Sequence, residues 1–339
     1  MIPANPNGFR TLLITGGGGY VGSALTPRLL QLGYKVRVVD LFWYGHDVFG
    51  DFNRHPNLET INIDMRNIPA LAMNLNGVDT VLHLACISND PSFELDPNLG
   101  RSINYDCFPG MLQAAIDAGV KRFIYASSSS IYGVKSDPNV MEDAVPEPLT
   151  DYSKFKLLCE RLLMDHPQVN GMERVIVRPA TVCGYAHRLR LDLVVNILTI
   201  HALVNEHIKV FGGEQKRPNI CIPDMVDTYV ALLEADGKLI DGEAFNAGTE
   251  NHTVKQLALL IRETLNNPNI AIDYVPSTDN RSYHINSDKI RRRLGVSPKT
   301  TIADAVRSLA DAYRAGKIKD PMHNPMYYNI KTMQQLQVT

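Results

Sequence analysis

Short apolar runs alternate along the chain with longer stretches whose apolar residues recur every three or four positions. Thr11-Leu-Leu-Ile14 is a compact run ahead of a glycine cluster and predicts a buried strand. Val21, Leu25, Leu29 and Leu32 then fall on one helical face, with Gly33 placed to stop the helix. Residues 35–39 form a second, β-branched run, and 57–63, 80–85, 122–126 and 175–177 repeat the theme. Helical stretches separate most of these runs. That alternation predicts an α/β fold built on a doubly wound parallel sheet covered on both faces. Beyond residue 180 the rhythm loosens. Residues 191–206 read as a helix, Val210-Phe-Gly-Gly213 follows, and the last third reads as mostly helical with polar turns.

Composition narrows the partners. The 339 residues carry 36 acidic and 34 basic side chains, a net charge of −2, with 45% hydrophobic and 21% charged residues. Such a chain has room for about two lobes and needs no disulfide or metal staple. Near-neutral charge argues against nucleic acid or an anionic membrane as main partner. No apolar run reaches the roughly 20 residues of a membrane helix, and the start, Met1 to Gly8, lacks a signal-peptide pattern. Five scattered cysteines with no Cys-x-x-Cys fit free thiols in a reducing cytoplasm. His201 and His207 stand six apart, off one helical face, and no metal site is expected.

Candidate chemistry begins at Thr15-Gly-Gly-Gly-Gly-Tyr-Val-Gly22, between the first strand and the first helix. Glycines there allow a tight turn and bring backbone N–H groups and a helix N-terminus onto a pyrophosphate, the Rossmann arrangement. Gly17, Gly19 and Gly22 fit G-x-G-x-x-G, while Gly16, Gly19 and Gly22 fit the wider spacing. Asp40 ends the second strand, 18 residues past Gly22. A carboxylate there accepts from both adenosine ribose hydroxyls and repels a 2′-phosphate, which favours NAD over NADP. Asp64-Met65, after the third strand, is placed to sit beside the adenine.

Three tyrosines are followed by a lysine four residues on: Tyr152/Lys156, Tyr313/Lys317 and Tyr327/Lys331. On a helix such a pair shares one face. Tyrosine has a pKa near 10 and needs a cation beside it to act as a base at neutral pH. Only Tyr152 lies in the strand–helix half, 24 residues after Ser128 in the serine run Ser127-Ser-Ser-Ser-Ile-Tyr-Gly133. The serine run closes the fifth strand, and both features fall where open α/β sheets bind ligands.

With Val81-Leu-His-Leu-Ala85, Asn104, Arg178-Pro179, Phe211-Gly-Gly213, Arg217-Pro218 and Phe245-Asn-Ala-Gly248 added, the chain resembles the extended short-chain dehydrogenase/reductases. The resemblance is to their NAD-dependent nucleotide-sugar epimerase/dehydratase branch and runs from about residue 10 to about residue 314. It implies a dinucleotide-binding domain over 1–180, with segments near 220–250 returning to it, and a smaller sugar-nucleotide lobe over 181–339. Ser128, Tyr152 and Lys156 would be catalytic. NAD would be held by Gly16, Gly19, Tyr20, Val21, Gly22, Asp40, Asp64, Met65, Leu84, Ala85 and Asn104, together with Tyr152 and Lys156. Ser88, Ser129, Thr181, Arg217 and Arg281 would meet the substrate, the two arginines at its diphosphate. A homodimer is implied, with Phe155, Leu158 and Leu162 on one candidate contact helix.

Two departures shape the expected reaction. The 4,6-dehydratases carry Asp-Glu where this chain has Ser129-Ser130, which demotes dehydration. Thr181 stands where the galactose epimerases have asparagine, and the stretch Cys86 to Ser92 also differs, so the sugar is open. The leading expectation is a nucleotide-sugar epimerase that transiently oxidises C4 and returns hydride to the opposite face. The alternative is a 4-dehydrogenase or 4-keto reductase on the same residues. A non-sugar reductase is disfavoured by Arg217 and Arg281.

Overall fold

A computed structural model describes residues 7–167, 169–277 and 282–337. Its strands are β1 Thr11–Thr15, β2 Lys35–Asp40, β3 Leu58–Asn62, β4 Thr80–His83, β5 Arg122–Ala126 and β6 Glu173–Pro179. These are followed by β7 Thr181–Cys183, β8 His207–Phe211, β9 Lys216–Cys221, β10 Glu243–Ala247, β11 Glu250–Thr253 and β12 Ala271–Val275. Seven of them make one sheet in the order β3-β2-β1-β4-β5-β6-β10, every neighbouring pair parallel. The order reverses between β1 and β4, and that reversal opens a crevice at the strands' carboxyl ends.

The period-two alternation of buried strands explains the two-sided cover. Leu12 and Ile14 face a core completed by Leu25 and Leu29 of helix Tyr20–Gln31 and by Met225 and Tyr229 of helix Ile222–Glu234. Leu13 faces the other way, into a core with Met111 and Leu112 of helix Phe108–Asp117 and Leu163 of helix Asp151–Met164. The first-helix expectation ends within a residue of the observed stop, and Gly33 takes a left-handed φ of +86°.

The last third is mostly helical, as its sequence predicts, with three short strands, β10, β11 and β12, among the helices. Beyond residue 180 the chain forms a three-stranded sheet, β11-β9-β7, and a parallel pair, β12-β8, beside helices Val194–Asn205, Val254–Thr264 and Ile302–Arg314. A third apolar core, with Cys183, Leu198, Val210, Leu257 and Val306, joins them. β12 was hidden because most of it is exposed, so its residues carry no buried run. After this excursion begins, the chain returns to the main sheet as β10, beside β6. The fully buried Arg122 of β5 ties that return together. Its guanidinium donates to the carbonyls of Leu232 and Leu233, each at 2.7 Å, and of Ala235 at 2.9 Å, and pairs with Glu173 at 2.6 Å. The five cysteines are free thiols. Among the described residues no helix is long and apolar enough to cross a membrane.

Candidate active site

A cavity of about 720 Å³ lies at the carboxyl ends of the strands, between the main sheet and the later segments. Its floor is the turn from β1 into helix Tyr20–Gln31. Gly16 has φ +71°, and a Cβ there would stand 2.5 Å from the Ala85 Cα. A Cβ on Gly22 would stand 2.4 Å from the Gly17 carbonyl oxygen. A Cβ on Gly17 would in turn stand 2.8 Å from Val38 Cγ1, so the turn is crowded at the glycines of both spacings. Gly19 caps the helix with no side chain bonded to its first N–H groups, so the donors of that turn are left to a ligand. Tyr20 and Val21 line the cavity beside them. The Tyr20 hydroxyl donates to the Gly184 carbonyl and accepts from the Asn196 amide, which docks the following lobe onto this helix.

Asp40 lies at the same end. Its carboxylate accepts from the Gly18 N–H at 2.9 Å and the Phe42 N–H at 2.8 Å. Burial holds its carboxyl above the ordinary value, although those N–H groups pull the other way. Each oxygen keeps a lone pair for a further donor. Leu84 and Ala85 line the floor, with Asp64 and Met65 beyond. Burial alone would raise Asp64, but its bonds from Arg66 prevail and hold the carboxyl below its usual value.

At the opposite end stand Ser128, Ser129, Tyr152 and Lys156. Helix Asp151–Met164 begins in a capping box, Thr150 with Ser153, which places Tyr152 in the first turn. Lys156 Nζ donates to the Ala126 carbonyl at 2.7 Å and lies 5.9 Å from the centre of the Tyr152 ring. Ser128 Oγ is hydrogen-bonded to the Tyr152 hydroxyl and lies 2.9 Å from Ser130 Oγ. In the protein alone, burial pushes the Tyr152 phenol well above its usual value. Cys86 and Asp90 add to the rise, while Arg190 and Ser128 oppose it. A positively charged ring against the phenol would act in the lowering direction.

The other expected residues divide. Ser88, Thr181 and Arg217 line the cavity. Arg217 donates to the Lys216 carbonyl at 3.0 Å and lies over the Tyr283 ring at 5.7 Å. Asn104 is not among the lining residues. Its carboxamide accepts from the Ile87 N–H at 2.8 Å and donates to the Ile87 carbonyl at 3.0 Å, fixing the loop that carries Ser88. Arg281 lies outside the described residues. Neither Tyr313/Lys317 nor Tyr327/Lys331 lines the cavity.

Sequence reasoning missed a polar cluster on the roof. Arg188, Arg190 and Asp192, from the segment after β7, meet Ser88 and Asn329 there. Arg190 is paired twice with Asp192, at 2.9 and 3.1 Å, and donates to Ser88 Oγ at 2.9 Å. The alternation Arg188-Leu-Arg-Leu-Asp192, with a charge at every second position, was the available signal.

A glycine cradle at a sheet crossover, a ribose-side carboxylate and a Ser–Tyr–Lys group in one cavity define a dinucleotide-dependent oxidoreductase-type α/β protein. The comparisons sharpen this. Residues 12–248 match the model of the NAD dependent epimerase/dehydratase family. The chain belongs to that family, and its cofactor is NAD. It is 27% identical over 327 residues to a UDP-glucose 4-epimerase of Rhizobium leguminosarum bv. trifolii, covering 89% of this chain and 96% of that one. An uncharacterized protein of Sinorhizobium fredii is 33% identical over 232 residues, 67% of this chain; the match spans about half of that protein, 54%. Among solved structures it resembles a UDP-glucuronic acid 4-epimerase of Bacillus cereus in complex with UDP-glucuronic acid and NAD. That likeness has TM-score 0.79 and 25% identity over 90% of this chain and 99% of the other.

Proposed function

We propose that this chain is a nucleotide-sugar 4-epimerase. Support comes from one observation above all: Ser128, Tyr152 and Lys156 share a cavity with the glycine cradle, while Ser129 and Ser130 stand where a dehydratase needs its acid and base. The cavity's carboxylates nearest the tyrosine end are engaged elsewhere. Asp90 accepts from the Thr150 hydroxyl at 2.6 Å, and Asp192 is held by Arg190. When bound, NAD supplies a reversible hydride acceptor. Tyr152 takes the proton from the sugar C4 hydroxyl and later returns it, with Ser128 hydrogen-bonded at the same oxygen. Lys156 holds the nicotinamide ribose and favours the phenolate. Arg217 and Arg281 grip the nucleotide diphosphate, and Thr181 and Ser88 border the sugar. The same reading makes the protein a cytoplasmic homodimer, joined through the helix that carries the half-buried Leu158 and Leu162.

Incubation with UDP-glucose, UDP-glucuronate, dTDP-glucose and GDP-mannose tests the reading by NMR of the sugar products. Formation of a C4 epimer from one of them, with no net reduced cofactor, is expected. Steady accumulation of reduced cofactor with an oxidised sugar, and no epimer, would overturn it in favour of a dehydrogenase. Tyr152→Phe is expected to lower kcat by about 10²–10⁴-fold, with the NAD content of the purified chain unchanged.

A further inference from the structure

Arg188 sits where a buried cation is hard to explain by the protein alone. The residue is 4% exposed, and its Nε and Nη1 have no hydrogen-bond partner. A buried guanidinium with two orphan donors is costly unless an anion completes it. Its side-chain partners are neutral groups, the Asn329 carbonyl oxygen, which accepts from Nη2, and the Tyr44 hydroxyl. No carboxylate hydrogen-bonds it: Asp192 is taken by Arg190, and Asp40 accepts from Gly18 and Phe42. Burial, with Arg190 adding to it, pulls the guanidinium down to about 10, still a full cation at neutral pH.

Its placement says which anion. The Arg188 N–H donates to Ser23 Oγ at 3.2 Å, in the first turn of helix Tyr20–Gln31. The guanidinium carbon stands 3.6 Å from the centre of the Tyr44 ring, just beyond Asp40, and both residues line the cavity. Arg188 is therefore bracketed by the uncapped helix start, where a pyrophosphate belongs, and by the ribose-side carboxylate. Contact with the Tyr44 ring and the bond to Asn329 hold the guanidinium in place, and Nε and Nη1 remain as donors for phosphate oxygens.

We propose that Arg188 is a second phosphate ligand for the dinucleotide, gripping the NAD pyrophosphate from the roof while the Gly16–Gly22 turn holds it from the floor. Asn329, from helix Asn329–Leu336, keeps the guanidinium in that pose. Its own N–H bonds Asp192 at 3.2 Å, and its amide bonds Ser88 Oγ at 3.1 Å. The cofactor is thereby enclosed by three separate parts of the chain. The inference rests on NAD as cofactor and stands whichever sugar reaction the protein performs.

The test is competition against labelled NAD on the full-length chain by ADP and by adenosine, with UDP titrated separately. For Arg188→Met, NAD and ADP should each weaken by about tenfold to a hundredfold, as for loss of a charge-assisted hydrogen bond. Adenosine, which lacks phosphate, should stay within about twofold, as should UDP. Labelled NAD should also leave faster. If Arg188→Met loses its melting transition, Asn329→Asp carries the test: it keeps the guanidinium but sets a carboxylate against it, and the same split is expected. Equal weakening of ADP and adenosine would overturn the proposal in favour of a packing role. Weaker UDP with unchanged ADP would assign Arg188 to the substrate diphosphate, and no change in any probe would also overturn it.

Discussion

Tyr152 is held in surroundings that disfavour its charge, and Arg190 is the nearby cation that works against them. A base with a raised pKa is ionised only as pH climbs, so activity rises along an ascending limb. Replacing Arg190 removes a lowering influence and leaves Asp192 without its ion-pair partner, and both effects oppose the phenolate. For Arg190→Gln the ascending limb of kcat against pH should therefore move to higher pH. A profile superimposable on the parent's would show that Arg190 does not bear on the base. The tyrosine and lysine were legible because their spacing is local. Arg188 and Arg190 were not, because their roles depend on Ser88, Tyr44 and Asn329, brought in from distant parts of the chain.

Among the elements, helix Asp151–Met164 shows how a terminus sets a site. Thr150 accepts from the Ser153 N–H, Ser153 returns the bond, and the Thr150 hydroxyl also donates to Asp90. Thr150→Ala should lower stability by about 1 kcal/mol in denaturant titration. It should also depress kcat, since the first turn that frays carries the base. An unchanged kcat with the stability loss present would separate the cap from catalysis. The strands of the main sheet were readable from their buried apolar runs. β8 and β12 were not: they pair across some sixty residues, and β12 is largely exposed, so neither turn chemistry nor periodicity announces them. The glycine spacing was readable only as two alternatives, because the crowding at Gly16 and Gly17 comes from Ala85, just past β4, and from Val38 of β2.

For the whole molecule, the return of the chain as β10 has a consequence during synthesis. A nascent chain that has emerged only as far as residue 180 has six strands in hand, yet β6 still presents an open row of N–H and C=O groups. At that stage the buried cation of β5, Arg122, has Glu173 but still lacks its three carbonyl acceptors, which arrive with Leu232, Leu233 and Ala235. The half that looks self-sufficient by motif is thus an adhesive intermediate, complete only after some seventy further residues bring β10 to its edge. A fragment of residues 7–180 should accordingly collect in the insoluble fraction on expression, and one of residues 7–250 should shift toward the soluble one. Equal solubility of the two would remove the argument. The interval between those two lengths is the window in which the growing chain depends on being shielded from its neighbours.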